Sequence, residues 1–504
     1  MVELTPLQQD LPSPDALCSQ PGPSPRHPKG LWYLVATEGA LAFATFGLTS
    51  LFVTCLRSHV LLPSVAGQVW GLGAFQDSAS ALYGVTQGHT SAAFKAMAGA
   101  LTALFMAALY AMPLLGSPLV DRSPHVAWPV LGGCALLALG YGLLAWPAAF
   151  LVGLALLLLG TACVGVLKMQ VGALYAQLND AMRAEAYQYY SLGVQVAGIA
   201  APILAGCLAD IAWGLAFLCS SLFTLVAMGL YALGLRTLAP HLVAQSAQPC
   251  TATTQTEAQL QTPGTAGGES IPTTPRGKSW FKAWPRLNRN VLLLLALVPV
   301  LALSAIPNEE IFDGYLLWGQ ERYSLTLLGW HLPVSTLLAL DGAISTATGF
   351  LVIVGCRRWE RWSGAAPTNR AQLVAGALLA ALGSLCLAAG SWLQPAPHPV
   401  SLWWGVGFHS FNDIGFALIY GAGMALFSRL APKGWGTTMI SLFTMHVSLS
   451  SLAIGRLSGL VGVLGDGPFW CLHAAAPAAA AGLFLLMLPS GRQPAPAGGI
   501  QGQR

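Results

Sequence analysis

Twelve apolar stretches dominate this sequence, and each is long enough to cross a lipid bilayer. A membrane-spanning helix needs about 20 predominantly apolar residues, because it rises about 1.5 Å per residue through a hydrocarbon core about 30 Å thick. The stretches cover residues 31–56, 93–116, 126–146, 149–176, 188–210, 213–235, 290–318, 333–355, 370–392, 401–428, 437–461 and 467–489. The pattern predicts an all-α membrane protein with 12 transmembrane helices, here called spans one to twelve.

The composition excludes several classes of function. Of the 504 residues, 55% are hydrophobic and only 8% are charged, so the lipid bilayer is the predicted partner. The small net charge of +4 gives no reason to expect a nucleic acid. The sequence also lacks an HExxH motif, a GxSxG elbow, a CxxC pair and a nucleotide-binding glycine loop. We therefore expect no enzyme, no metal and no cofactor, and make no prediction of oligomeric state.

A polar segment, Arg236 to Arg289, separates spans six and seven and is rich in Ser, Thr, Gln, Pro and Gly. It predicts two six-helix bundles joined by a linker. The predicted organisation is a disordered tail (1–30), an N-terminal bundle (31–235), a cytoplasmic linker (236–289), a C-terminal bundle (290–489) and a second tail (490–504). An even number of spans places both termini on one side of the membrane.

Positive charge predicts which side that is. Of the 23 lysines and arginines, only Arg57, Lys95 and Arg322 fall on the side opposite the termini, and Lys168 and Arg456 fall within spans. Because cytoplasmic loops carry the excess of Lys and Arg, both termini are predicted to be cytoplasmic and the protein to lie in the cytoplasmic membrane.

Three polar residues of the N-terminal bundle fall at one predicted depth. Glu38, Lys168 and Gln195 each lie about 10 Å from the cytoplasmic ends of spans one, four and five. A Glu38–Lys168 pair with Gln195 beside it would spare both charges the cost of standing alone in lipid. The alternative is that each side chain snorkels separately toward the surface.

The C-terminal bundle carries a second set of acids. In span seven, Pro307 precedes Glu309 and Glu310, and a proline inside a membrane helix is typical of a helix that lines a cavity. Asp341 in span eight and Asp413 in span ten fall near the midplane, where acids suit proton relay. For Glu309 and Glu310, solvation at the extracellular mouth is an equal alternative.

Two histidines, His409 and His446, also fall inside predicted spans. An isolated intramembrane histidine is more often a hydrogen-bonded packing residue than a titrating one, so we assign them no function. The glycines at positions 193, 198 and 206 of span five are predicted to be sites of close helix packing.

The six-plus-six layout with a basic central segment resembles the major facilitator superfamily, whose two halves enclose a substrate site near the midplane. A second feature is similar to the loop signature of that superfamily, in which a glycine, four further residues and Asp-Arg follow span two. Here Gly116 is followed by Ser-Pro-Leu-Val and then by Asp121 and Arg122.

Spans four and five resemble one branch of this superfamily, the proton-coupled oligopeptide transporters. The similarity lies in VGVLKMQVGALYAQL and in YQYYSLGVQVAGIAAPILAG. The resemblance implies that Lys168 takes part in proton coupling and in binding a peptide carboxylate, and that Gln195 stands where an asparagine contacts the peptide. It further implies that Asp341 stands at an asparagine of span eight and Glu310 at the glutamate of span seven.

Other positions depart from that family. Its ExxER motif in span one would fall on Glu38, Leu41 and Ala42, so only the first glutamate is present. Its glutamate in span ten falls on Phe416, which leaves Asp413, one turn away, as a substitute. The departures put dipeptide binding by both termini in question.

The sequence thus predicts a secondary active transporter that moves a small organic solute, peptide-like in the first instance, by alternating access with the proton gradient as its energy source. Two alternatives remain open. One is a membrane sensor or partner subunit that keeps the fold without transport, and the other is a carrier or exporter of a non-peptide metabolite.

Overall fold

The computed structural model describes residues 27–86, 88, 90–121, 127–165, 167–174, 180–247, 289–327, 329–432, 436–461 and 463–489. Most of the first predicted tail and of the predicted linker, and the whole second tail, lie outside these residues. For several stretches within helices, which include Lys168 and Asp121, only the backbone is described.

The first six spans are formed by ten helices. They are α1 (Lys29–Thr49), α2 (Phe52–Cys55), α3 (Pro63–Ala66), α4 (Leu72–Tyr83), α5 (Ser91–Asp121), α6 (Ala127–Leu144), α7 (Phe150–Val164), α8 (Leu167–Leu174), α9 (Asp180–Ile211) and α10 (Trp213–Ala247). A π-helical turn, Leu56–Val60, extends span one, and a 3₁₀ turn, Pro147–Ala149, precedes α7. Span six continues as helix to Ala247, so the predicted linker begins within a helix.

The last six spans contain seven helices and one hairpin. They are α11 (Arg289–Glu310), α12 (Gly314–Arg322), α13 (Thr336–Ser363), α14 (Asn369–Leu393), α15 (Leu402–Leu430), α16 (Gly436–Leu457) and α17 (Asp466–Met487), with a 3₁₀ turn at Ser458–Leu460. The strands β1 (Thr326–Leu327) and β2 (Trp330–His331) pair antiparallel between α12 and α13.

Among the described residues, eleven helical segments are long and apolar enough to cross a membrane. The helix α16 occupies the position of span eleven with 22 residues but is more polar, since it carries several serines and threonines. With α16 included, the architecture matches the all-α protein of 12 transmembrane helices expected from the sequence. The protein is a multi-pass membrane protein.

Glycines set the closest approaches between helices, as predicted for span five. A Cβ atom added to Gly193 would lie 3.2 Å from the carbonyl oxygen of Val35 in span one. One added to Gly206 would overlap Ser335 and Pro333, which precede span eight. The three predicted positions are therefore packing sites, with Gly198 lying against Phe46 and against Gly342.

The two groups of six spans meet along three helix pairs. Span five (α9) packs against span eight (α13), span two (α5) against span eleven (α16), and α2 of span one against α12 of span seven. We call the end of the bundle where span one finishes and span two begins the distal end. It is opposite the end that carries the termini, because successive spans alternate in direction.

Candidate functional site

Span seven is interrupted beside its two glutamates. The helix α11 ends at Glu310, residues 311–313 form turns, and α12 begins at Gly314. Pro307 lies one turn before the interruption and cannot donate a backbone hydrogen bond, which weakens the helix there. Broken membrane helices with polar groups at the break are a recurring feature of transporter binding sites.

Both glutamates are buried rather than solvated at the mouth of the bundle. Glu309 is 5% exposed and accepts a hydrogen bond of 3.1 Å from the hydroxyl of Ser451 in span eleven. Glu310 is 0% exposed, and its Oε2 lies 3.2 Å from Nε2 of His473 in span twelve. The alternative of two solvated acids is wrong, because α12 continues the span for nine further residues beyond the break.

A third acid, Asp313, lies at the break itself and is buried. Its Oδ1 would be 3.0 Å from a Cβ atom added to Gly99, so the carboxyl group faces span two of the other group. A cavity of about 10 Å³, at the lower limit of what one water molecule needs, is lined by Thr102, Glu309, Asp313 and Ser451 among others. Asp313 was not among the predicted site residues, because the predicted span places it near the membrane boundary at the distal end.

A second cluster joins spans eight and ten. Oδ1 of Asp341 lies 2.8 Å from Nδ1 of His409, and ligand atoms of Asp341, His409 and Asp413 all lie within 4.8 Å of one another. His409 and Asp413 are buried, whereas the side chain of Asp341 is 20% exposed. The structure thus brings together two predicted site residues and one histidine to which we had assigned no function.

Neighbouring side chains orient this cluster. Nε2 of His409 lies 3.1 Å from the hydroxyl of Tyr315, and Nδ2 of Asn412 donates to Oδ1 of Asp413 at 3.3 Å. His409 is hydrogen-bonded, as expected for an intramembrane histidine, but it is not isolated. The spacing of four residues between His409 and Asp413 was the available signal, since it places both on one helix face. His446, in contrast, bonds the carbonyl oxygen of Phe443 in its own helix.

The predicted N-terminal set lies on neighbouring helices. Glu38 is half-buried in span one, next to Gly39, and a Cβ atom added to Gly39 would lie 3.4 Å from the carbonyl oxygen of Gly193. Gln195, also half-buried, follows Gly193 by two residues, so Glu38 and Gln195 share one depth. Lys168 lies in α8, and its side chain is not described; the Glu38–Lys168 pair stays a prediction.

Apolar side chains occupy the positions that the resemblance assigns to missing charges. Leu41 is 6% exposed and belongs to the main hydrophobic core, and Ala42 packs against the small cluster of Phe43, Ala197 and Ala201. Phe416 lies against Tyr420 with ring centroids 5.8 Å apart. These residues contribute packing and no charge.

Polar contacts join the two groups at the distal end. Arg57 of span one and Lys95 of span two both pair with Glu321 of span seven, Arg57 at 2.7 Å. The hydroxyl of Ser335 donates to the carbonyl oxygen of Pro202 at 2.8 Å, and Arg456 donates to the carbonyl oxygen of Tyr83 at the end of α4. The distal end is therefore closed.

Known structures share this architecture. A crystal structure of the peptide transporter POT in complex with sulfate superposes with a TM-score of 0.72 at 17% identity, over 92% of this chain and 94% of that chain. The POT family transporter PepTSo superposes with a TM-score of 0.70 at 15% identity, over 92% and 98%. A POT family transporter in complex with 5-aminolevulinic acid superposes with a TM-score of 0.66 at 16% identity, over 91% and 96%. Identities this low establish a likeness of fold alone.

Sequence comparison gives the family. No curated protein matches the chain. The model of the Major Facilitator Superfamily matches residues 69–455, which is well over half of the sequence and extends across both groups of spans. The protein, with its twelve-span architecture, belongs to the major facilitator superfamily.

Proposed function

We propose that the protein is a secondary active transporter that moves a small, peptide-like organic solute across the cytoplasmic membrane by alternating access, driven by the proton gradient. One observation carries the proposal: the acids Asp341 and Asp413 meet in one cluster next to the contact between spans five and eight. Acids inside a membrane bundle are costly, and they are typical of ion and substrate pathways.

The closed distal end supports alternating access. In this fold, transport proceeds by rocking one half against the other around a site near the midplane. The pairs of Glu321 with Arg57 and Lys95 hold the distal end shut, so this structure corresponds to a state that can open only toward the termini. We propose, from the distribution of Lys and Arg, that this side is the cytoplasm.

We assign the roles as follows. Lys168 holds an anionic group of the solute or pairs with Glu38, and Gln195 lies beside them. Asp341 lines the site on the other side, and Asp413 and Glu310 carry the proton or an amine of the solute. The shared depth of Glu38 and Gln195 and the burial of Glu310 and Asp413 support these assignments.

The test is uptake into proteoliposomes. Dialanine and 5-aminolevulinic acid serve as probes, and each is measured with and without an inward proton gradient. We expect uptake that the gradient accelerates, and its loss in Lys168→Gln. Glu360→Gln is the matched control, because Glu360 is an exposed acid on α13. Undiminished uptake in Lys168→Gln would contradict the role assigned to Lys168. Uptake that does not change with the gradient would contradict coupling to protons.

A second candidate is a membrane sensor that binds a solute without moving it. The apolar side chains of Leu41 and Ala42 favour it, because they leave span one without the charges that the resemblance implies for coupling. Counterflow separates the two candidates: a transporter exchanges labelled for unlabelled solute across the membrane, whereas a sensor binds solute and shows no exchange.

A further inference from the structure

The cluster of Asp341, His409 and Asp413 has the composition of a metal site. We propose that these three side chains bind one divalent first-row transition-metal cation, such as Zn²⁺ or Mn²⁺. Asp341 and Asp413 also belong to the site of the proposed function, but cation binding is measured without transport, so either proposal can fail while the other stands.

The geometry supplies three ligand atoms from two spans. The imidazole nitrogen and two carboxylate oxygens lie within 4.8 Å of one another, so small side-chain movements bring all three to the distance of about 2.0–2.2 Å from one ion that such ligands adopt. Nδ1 of His409 and Oδ1 of Asp341, now 2.8 Å apart, would separate by a few tenths of an ångström. Water or solute would complete the coordination from the exposed side of Asp341.

The charges of the cluster favour a dication. A metal binds the deprotonated forms of its ligands, and in that form the two carboxylates and the imidazole together carry two negative charges. Among the described residues no lysine or arginine forms an ion pair with them. Oδ2 of Asp413 is buried and has no hydrogen-bond partner among the described residues. Burying unpaired charge is expensive, and a bound divalent cation would neutralise both carboxylates while giving this oxygen a partner.

Surrounding residues already hold the ligands in place. Metal-bound histidines usually donate their second ring N–H to a neighbouring oxygen, and the hydroxyl of Tyr315 lies 3.1 Å from Nε2 of His409. The side-chain amide of Asn412 donates a hydrogen bond to Oδ1 of Asp413 and so orients this carboxylate. The ligand set also selects the metal: imidazole disfavours Ca²⁺ and Mg²⁺ relative to transition metals, and the absence of thiolate from the set disfavours Cu⁺.

Calorimetry on the purified full-length protein tests the site. After removal of any affinity tag and dialysis against a chelator, the protein is titrated with ZnCl₂, MnCl₂ and, for comparison, MgCl₂. We expect one transition-metal site per chain and at least tenfold weaker binding of Mg²⁺. We further expect the heat of binding to depend on the ionisation enthalpy of the buffer, because the ion displaces a proton held by the two carboxylates.

Substitutions test whether the cation binds at the three side chains of the cluster. Asp413→Asn and His409→Gln should each weaken Zn²⁺ binding at least tenfold, and His446→Gln is the matched control because His446 is equally buried in span eleven. Asp341→Asn, at the partly exposed ligand, gives a further variant should His409→Gln fail to fold. Absence of binding in the wild type, or unchanged affinity in Asp413→Asn and Asp341→Asn, would overturn the proposal.

Discussion

Glu309, Glu310 and Asp413, together with Asp313, are acids buried inside the bundle. Each is at most 5% exposed. A carboxyl group in such surroundings is retained only with a proton, a hydrogen bond or a bound cation, because an uncompensated charge in a low-dielectric interior costs several kcal/mol. The side chains that reach the first three are a serine and a histidine of other spans and the asparagine that precedes Asp413 in span ten.

The proposed proton role gives a prediction for Asp413. Asp413→Asn keeps the size of the side chain and removes its ionisable group, so gradient-driven uptake should fall at least tenfold while counterflow of the same solute persists. The control Glu360→Gln should alter neither gradient-driven uptake nor counterflow. Uptake in Asp413→Asn that still responds fully to the gradient would show that the proton binds elsewhere.

The hydrogen bond from Ser451 gives a second prediction. Ser451→Ala removes the hydroxyl that donates to Glu309 and leaves the carboxyl group buried, which should lower the free energy of unfolding by about 1–3 kcal/mol. Thermal unfolding in detergent measures the loss as a lower Tm. Ser363→Ala, at an exposed hydroxyl of α13, is the control and should leave the Tm unchanged. Equal values for both variants would contradict the structural role of Ser451.

At this scale the sequence identified the acids but not their partners. An acid inside an apolar stretch is visible from the sequence, and so Glu310, Asp341 and Asp413 could be selected. Asp313 and His473 could not, because their significance depends on tertiary contacts between spans seven, two and twelve.

Glycines allow neighbouring helices to pack closely against each other. Spans nine and ten show the tightest such contact, between Gly376 and Gly415. A Cβ atom added to Gly415 would lie 2.5 Å from the carbonyl oxygen of Gly376, a backbone atom that cannot move aside without shifting the helix.

Gly415→Ala should therefore push spans nine and ten apart. Overpacking of this kind costs about 1–3 kcal/mol, so we expect a lower Tm in detergent. Gly421→Ala on the same helix is the matched control, since nothing lies within 4 Å of its added Cβ atom. A Gly415→Ala protein as stable as the control would show that the two helices are more loosely packed than described.

The spans were predictable from hydropathy, whereas their interruptions were not. Pro307 indicated that span seven lines a cavity, yet the break falls at residues 311–313, where the sequence still reads as a continuous span. Span four likewise divides into α7 and α8 just before Lys168. Such breaks are stabilised by packing against other helices, which apolar length alone does not reveal.

The whole molecule can be regarded as two groups of spans held together by polar contacts at the distal end. Glu321 is 40% exposed and pairs with both Arg57 and Lys95, so the network is partly screened by solvent and stabilises the closed end by about 1 kcal/mol. An energy of this size corresponds to about a fivefold change in the ratio of closed to open molecules. The ion pairs are thus strong enough to favour the closed distal end and weak enough to break when that end opens.

Glu321→Gln should shift that ratio toward open molecules. Amide hydrogen exchange of residues 333–342, followed by mass spectrometry, should be about fivefold faster in the variant, and added salt should produce part of the same increase in the wild type. Glu360→Gln should exchange like the wild type. If neither the substitution nor salt changes the rate of amide hydrogen exchange, the ion pairs do not keep the distal end closed.

The overall architecture was the most predictable level, because twelve apolar stretches and a polar central segment leave few alternatives for a membrane chain. The closure of the distal end was not predictable, since Arg57 and Glu321 are separated by more than half of the chain and meet only in the folded protein.

Gradient-driven uptake by proteoliposomes tests the central claim most directly. Dialanine and 5-aminolevulinic acid are each supplied outside vesicles that contain wild type, Asp413→Asn or Glu360→Gln, with an inward proton gradient or none. We expect uptake that the gradient accelerates in wild type and Glu360→Gln, and counterflow without gradient-driven uptake in Asp413→Asn. Binding of a probe without uptake or counterflow in the wild type would contradict transport and leave the protein as a sensor.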